Sequence, residues 1–513
     1  VANRSFIRLG TVGAAVATVV ALALAGCSGA SSGGGSTSGG TLVIDKTFDL
    51  KTADPARMYE PTGELVDKAL YDTLLTFDGA AVTKPVPGLA TMDESADATS
   101  FTFALKKGRH FSDGSPVTAD DVVFSLNRVV GIKGNPSFLL DGATISKVDD
   151  TTVKITTAKP TPALPYILPN PALGIVNEKK VKADGGTVTA DDKAESALNK
   201  ASQGSGPYVI SSLNLSSQVV LTKNPKYDGP KKPTYQKIVL RNVQSATQEV
   251  NLKGGDSQVA LDLSSSQASD LGGSAKVLSG PSANVVFLLL NQDPAISKYT
   301  SNPDFVKAVK EGVDYKDLLS VAGKGSVQAP GVIPTVFLGA LGSGDALKTD
   351  AEQAKKDLAA SGYAGEPVTL NFPSDITLNG LQFPDIAQRL QSQLKGIGLN
   401  VTLAPAPVAT ELDAYRSGKE TIGLWYWGPD YPDPSDYLTF APGGVVGLRA
   451  QWKTGVDAAA DAAATAAGQG GSADQRKTAF QDFQPELNTS GPFVPLVQPA
   501  NNIAYASGVT GIS

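Results

Sequence analysis

The sequence predicts an α/β body with strand and helix patterns alternating through its second half. Three observations carry this. Residues 285–290 form an unbroken apolar run, Val-Val-Phe-Leu-Leu-Leu, as a strand buried on both faces requires. Segments such as Phe101–Leu105 and Thr152–Thr156 alternate with period two. Between such strands lie segments with apolar residues at helical spacing, as in Phe383–Lys395, where Ile386, Leu390 and Leu394 share one face. A chain of 513 residues with 41% apolar content can build more than one core.

Taken in order, Leu42-Val43-Ile44 opens the body as a strand, and Glu64–Leu75 reads as a helix with Leu65, Ala69 and Leu70 on one face. Thr118-Ala119-Asp120-Asp121 is a helix start: the hydroxyl can cap, and the acids suit the positive end of the helix dipole. Val122, Val123, Leu126, Val129 and Val130 continue it. Strands are expected at Gly206–Ile210, Val219–Leu221 and Lys237–Leu240. Phe305–Leu319 is helical in pattern, Val368–Leu370, Leu399–Leu403 and Thr421–Trp425 are strands, and Ala458–Ala467 is a surface helix. No fixed-period repeat is present.

Composition narrows the chemistry. One Cys excludes intrachain disulfides and thiolate clusters, and one His excludes a multi-histidine metal site. The net charge of −6 argues against nucleic-acid binding. Gly339–Gly344 is glycine-rich, but no Gly-Lys-Ser/Thr follows to make a phosphate loop. These features favour a binding protein over an enzyme, with no cofactor or metal expected. A paired-carboxylate hydrolase is the remote alternative.

The first 26 residues carry Arg4 and Arg8, then a charge-free stretch ending Leu24-Ala25-Gly26 directly before Cys27. This pattern resembles the bacterial lipoprotein signal. The resemblance implies cleavage before Cys27 and lipidation of its thiol, with the Gly/Ser-rich residues to 40 as a flexible tether to the membrane.

Five blocks then fall in a fixed order. They are Tyr71-Asp72-Thr73-Leu74-Leu75 with Pro87–Ala90, Lys106–Gly114 with Val117–Val122, Ser205–Tyr208, Asn224–Tyr227 and Trp425–Pro434. Together they resemble the extracytoplasmic solute-binding proteins of peptide-type ABC importers, the family of dipeptide-, oligopeptide- and nickel-binding receptors. The resemblance implies a two-lobed periplasmic-binding-protein-like fold. Residues 41–275 would form lobe I, with an inserted subdomain at about 80–185; residues 276–490 would form lobe II, and 491–513 would return to lobe I. It also implies a monomer that encloses a peptide by hinge closure and delivers it to a permease driven by separate ATPase subunits. A different solute, such as an oligosaccharide, is the alternative cargo. Two departures stand out: Lys307 where the family often has Arg, which keeps the charge but loses the planar fork, and Pro429 within the last block.

The same resemblance supplies candidate ligand contacts. Asp430 would pair with the peptide ammonium, with Gly428 beside it and Trp427 over the ligand. Trp425, two residues earlier on a strand, faces the same side as Trp427. Tyr59, Glu60 and Pro61 would meet the peptide from lobe I, and Arg449 could meet its carboxylate. Asp433 and Asp436 read as turn and cap residues.

Overall fold

The computed structural model describes residues 40–512. The expected signal, Cys27 and the tether up to residue 39 lie outside the described residues. Among the described residues no helix is long and apolar enough to cross a membrane.

Two mixed sheets organise the body. The first has seven strands and is centred on Thr41–Lys46, which pairs in parallel with Lys237–Asn242 on one side and Val259–Ala260 on the other. The second has six strands and is centred on Val285–Leu290, flanked antiparallel by Ile422–Trp427 and Phe493–Gln498. The apolar run of the central strand is explained by its position. Val286, Leu288 and Leu290 enter one core with Phe305, Phe383 and Leu390, while Phe287 and Leu289 enter the opposite core with Trp425, Phe440 and Phe493. A strand covered on both faces has no polar side to display.

A four-stranded antiparallel sheet spanning residues 90–157 is inserted between strands of the first sheet and packs against the helix Ala119–Gly131. That helix begins as its sequence predicts: Thr118 and Asp121 form a reciprocal capping box. Arg128 on the same helix is 1% exposed and fully paired. Its guanidinium takes both oxygens of Asp54 at 2.6 Å and both of Asp192 at 2.7 and 2.8 Å. Arg57 bridges the same two acids at 2.7 and 2.8 Å. This network fixes the loop that leads from Asp54 to Tyr59.

Several expectations shift. The helix expected over 64–75 is Pro61–Leu70, and Tyr71 is already extended. Its buried face is Thr62, Gly63, Val66, Asp67 and Leu70, so Leu65, at 47% exposed, does not share that face with Leu70. Gly63 is needed there because a Cβ would lie 2.3 Å from Met58 Cγ. The single helix expected over 305–319 is two, Pro303–Gly312 and Tyr315–Ala322, separated where Val313 turns extended and Asp314 caps the second helix. Lys307 reaches the Asp357 carboxylate at 3.0 Å.

The chain passes from the first sheet to the second at residues 282–284, between strands Lys276–Pro281 and Val285–Leu290. It returns at Pro499, between Phe493–Gln498 and Ala500–Tyr505. The return comes later than the expected residue 491, because Phe493–Gln498 still pairs with the central strand of the second sheet. The two crossings touch: Ser282 N donates to Pro499 O at 2.9 Å.

Candidate functional site

A cavity of about 820 Å³ lies between the two sheets, beside the crossings. This is within the ~300–1,000 Å³ usual for small-ligand sites. Lys46 and Asp262, at the carboxyl ends of two parallel strands of the first sheet, form one wall and pair at 3.3 Å. The helix Pro61–Leu70 forms the next wall. Pro61, Glu64, Leu65 and Lys68 recur at helical spacing and all face the cavity. Opposite them stand Val336, Phe337, Pro429, Asp430 and Tyr431 from the second half, with Ala283 of the crossing at the base. The lining is mainly apolar, with a few convergent charges, as a binding cleft requires.

Asp430 sits in the loop that follows strand Ile422–Trp427, and it bridges the two halves. The Tyr59 hydroxyl donates to Asp430 Oδ1, and Asn170 Nδ2 donates to the Asp430 carbonyl at 3.3 Å. The carboxyls of Asp430 and Asp436 also hydrogen-bond to each other. Two carboxylates cannot do so unless one keeps a proton. Asp436 Oδ2 accepts from Trp427 Nε1 and from Asp430 N, both at 3.1 Å. Burial drives the Asp436 carboxyl well above the usual range, with the charge of Asp430 adding to it. Burial also raises Asp430, while the hydrogen bonds from Tyr59 and Asp436 favour its charged form. The donors around Asp430 offset part of the cost of burying its charge in a partly dehydrated cleft, where a cation would be its natural partner.

Around this centre the candidate residues separate. Asp430 and Pro61 line the cavity, and Tyr59 reaches it through Asp430. Gly428 lies against the first crossing, where a Cβ would fall 2.5 Å from Asn284 Oδ1. Trp427 holds Asp436 and packs edge-on to Phe440 at 5.8 Å rather than lying along the cavity wall. Three further candidates also stand off the cavity wall. Trp425 shares the face of Trp427 but is 3% exposed, stacked on Tyr415 at 4.2 Å, because strand alternation aims it into the core. Glu60 is turned inward to accept from the backbone N–H groups of Lys51 and Tyr59. The Arg449 guanidinium lies over Tyr415 at 4.5 Å and Trp427 at 5.8 Å, outside the cavity wall.

The family model described as bacterial extracellular solute-binding proteins, family 5 (middle), matches residues 84–445. The chain belongs to the family 5 bacterial extracellular solute-binding proteins. It is 30% identical over 411 residues to the probable D,D-dipeptide-binding periplasmic protein DdpA of Escherichia coli, covering 78% of this chain and 77% of that one. Its fold superposes on the ABC transporter substrate-binding protein CtaP of Listeria monocytogenes with a TM-score of 0.79 at 20% identity, covering 92% and 94% of the two chains. The binding protein DppA of Helicobacter pylori in complex with the peptide STSA superposes with a TM-score of 0.75 at 23% identity, covering 93% and 96%. The chain is therefore a solute-binding protein of the ABC-importer type with the two-lobed α/β fold of its family, and its relatives are binding subunits of transporters.

In this family 5 protein no site role for Glu64, Lys46 or Lys68 is read from sequence, and Asp436, which reads from sequence as a turn or cap residue, instead supports Asp430. The stripe Pro61, Glu64, Leu65 and Lys68 has helical spacing, but one charged face of a helix ordinarily signals solvent, not a cleft. Nothing local marks Asp436 as the partner of Asp430.

The indole of Trp425 also exposes a buried acid pair. Trp425 Nε1 donates at 2.8 Å to Glu420, which is 2% exposed and hydrogen-bonded to buried Glu411. Burial pushes the Glu420 carboxyl up to about 9, with Glu411 raising it further and the indole N–H opposing. The folded state thus keeps a proton that the unfolded chain releases above about pH 4.3. Its contribution to stability is fullest in acid and is lost as pH rises towards 9. Glu420→Gln keeps the acceptor for the indole and removes the titration. Thermal melts should show a midpoint higher by about 2 °C or more at pH 8, with little change at pH 4. Parallel pH curves for the two proteins would refute this account.

Proposed function

We propose that this protein is the membrane-anchored receptor of a peptide importer, tethered through lipidated Cys27, and that its cargo is a short peptide with a free amino terminus. The observation that carries this reading is the Asp430 carboxylate, held between the two halves in a cavity with largely apolar walls. An ammonium group is the natural partner for such an anion, and apolar walls tolerate varied side chains. Residues 41–275 with the final strand would act as one jaw and the second sheet as the other, closing on the peptide and then docking on a permease with its ATPase subunits. A ligand that touches both jaws only when they are shut stabilises the closed form by its differential affinity. The protein would act as a monomer and catalyse no reaction.

Calorimetry with Ala-Ala-Ala and its N-acetyl form tests the cargo. The free tripeptide should bind and acetylation should weaken it by roughly thirtyfold or more, the loss of one charge-assisted contact. Equal binding of both forms, or binding of neither, would overturn the peptide reading. Cys27→Ala should move the protein from the membrane fraction to the soluble one, and retention in the membrane would count against the lipid anchor.

A further inference from the structure

Glu64 stands apart from the other acids of the cavity. Asp262 is already paired with Lys46 and accepts from Thr47 N and Gln248 Nε2. Asp430 is bound by Tyr59 and Asp436. Among the described residues the Glu64 carboxyl has no hydrogen-bond or ion-pair partner, though it lines the cavity and is half-buried. Lys68, one turn further along the helix, directs its ammonium to Thr76 Oγ1 at 2.9 Å instead. The other charges that act on Glu64 are Asp49, Asp430 and Glu60, all negative. Burial, followed by these three acids, pushes the Glu64 carboxyl up to about 7. Such a group gains most from a positive charge brought by a ligand.

We infer that Glu64 is a specificity-determining residue: it receives a second positive charge, on the side chain of the peptide's amino-terminal residue, while Asp430 takes the ammonium from the opposite wall. The inference rests on the peptide reading and adds a preference to it. The two carboxylates come from different halves of the molecule, so a dicationic end would engage both jaws at once. A neutral first residue would engage only the second.

The test compares Lys-Ala-Ala with norleucyl-Ala-Ala, which has a similar length and no side-chain charge. The wild-type protein should bind the lysyl peptide at least tenfold more tightly, and Glu64→Gln should bring the ratio to within about threefold, mainly by weakening the lysyl peptide. The wild-type ratio needs no variant, and melting temperature checks that Glu64→Gln is folded. A wild-type ratio near one, a ratio unchanged in Glu64→Gln, or equal weakening of both peptides would overturn the inference. If Ala-Ala-Ala binds but the ratio is near one, only the preference fails; if no peptide binds, the cargo reading fails with it.

Discussion

Replacing Asp430 by Asn is expected to weaken tripeptide binding by about 2–3 kcal/mol, roughly thirty- to 150-fold. The side chain keeps its shape, so what is lost is the charge. Tyr59 can still donate to the amide oxygen, and Asp436 can still be satisfied by Trp427 and the backbone N–H. The fold should therefore hold, with melting temperature near that of the wild type. Calorimetry reads the affinity. A neutral sugar would lose far less, so the same variant separates the two cargo classes. Should the variant bind tripeptide as the wild type does, Asp430 is not the ammonium partner.

The largest stability loss is expected from Arg128→Ala. The substitution leaves the buried carboxylates of Asp54 and Asp192 sharing Arg57 as their remaining guanidinium, and removing one partner of a buried ion pair costs about 3–5 kcal/mol. Lys would not rescue it fully, since one ammonium cannot reproduce a fork that engages four oxygens. The pH profile should change as well. Burial alone would raise Asp192, but hydrogen bonds from Arg128, Thr187 N and Arg57 hold its carboxyl well below the usual range. That contribution is present above the unfolded pKa of about 3.9 and is lost only as pH falls through the lower folded value. Arg128→Ala should therefore unfold at a higher pH in an acid titration followed by circular dichroism. An unchanged acid midpoint together with a loss below 1 kcal/mol would show the network to be dispensable.

What could be seen in the sequence was set by range. Elements with their own period were legible: the buried strand 285–290, the capped helix after Thr118, the Ala-rich helix 458–467. The edge strand Lys276–Pro281 carries no such signal, because it is largely exposed and paired on one side only. The site depends on pairings that no local pattern encodes. Tyr59 and Asp430 are 371 residues apart, and their contact exists only because two sheets meet. Trp425 and Trp427 look equivalent in a strand pattern, yet one is sealed under Tyr415 and the other reaches Asp436 at the strand's end. Glu64 lies in the expected helix, but Leu65 does not share a buried face with Leu70: Val66 is buried there and Leu65 is exposed.

The touching crossings at Ser282 and Pro499 have a mechanical meaning. In the proposed closure, two short links bonded side by side would act like the spine of a book, favouring a swing of the covers over a slide. Under the proposed closure every opening would retrace one arc, and the far rim would travel farthest for a given turn. Small adjustments near the spine would thus be magnified at the mouth, where a membrane partner could distinguish a loaded receptor from an empty one by shape alone.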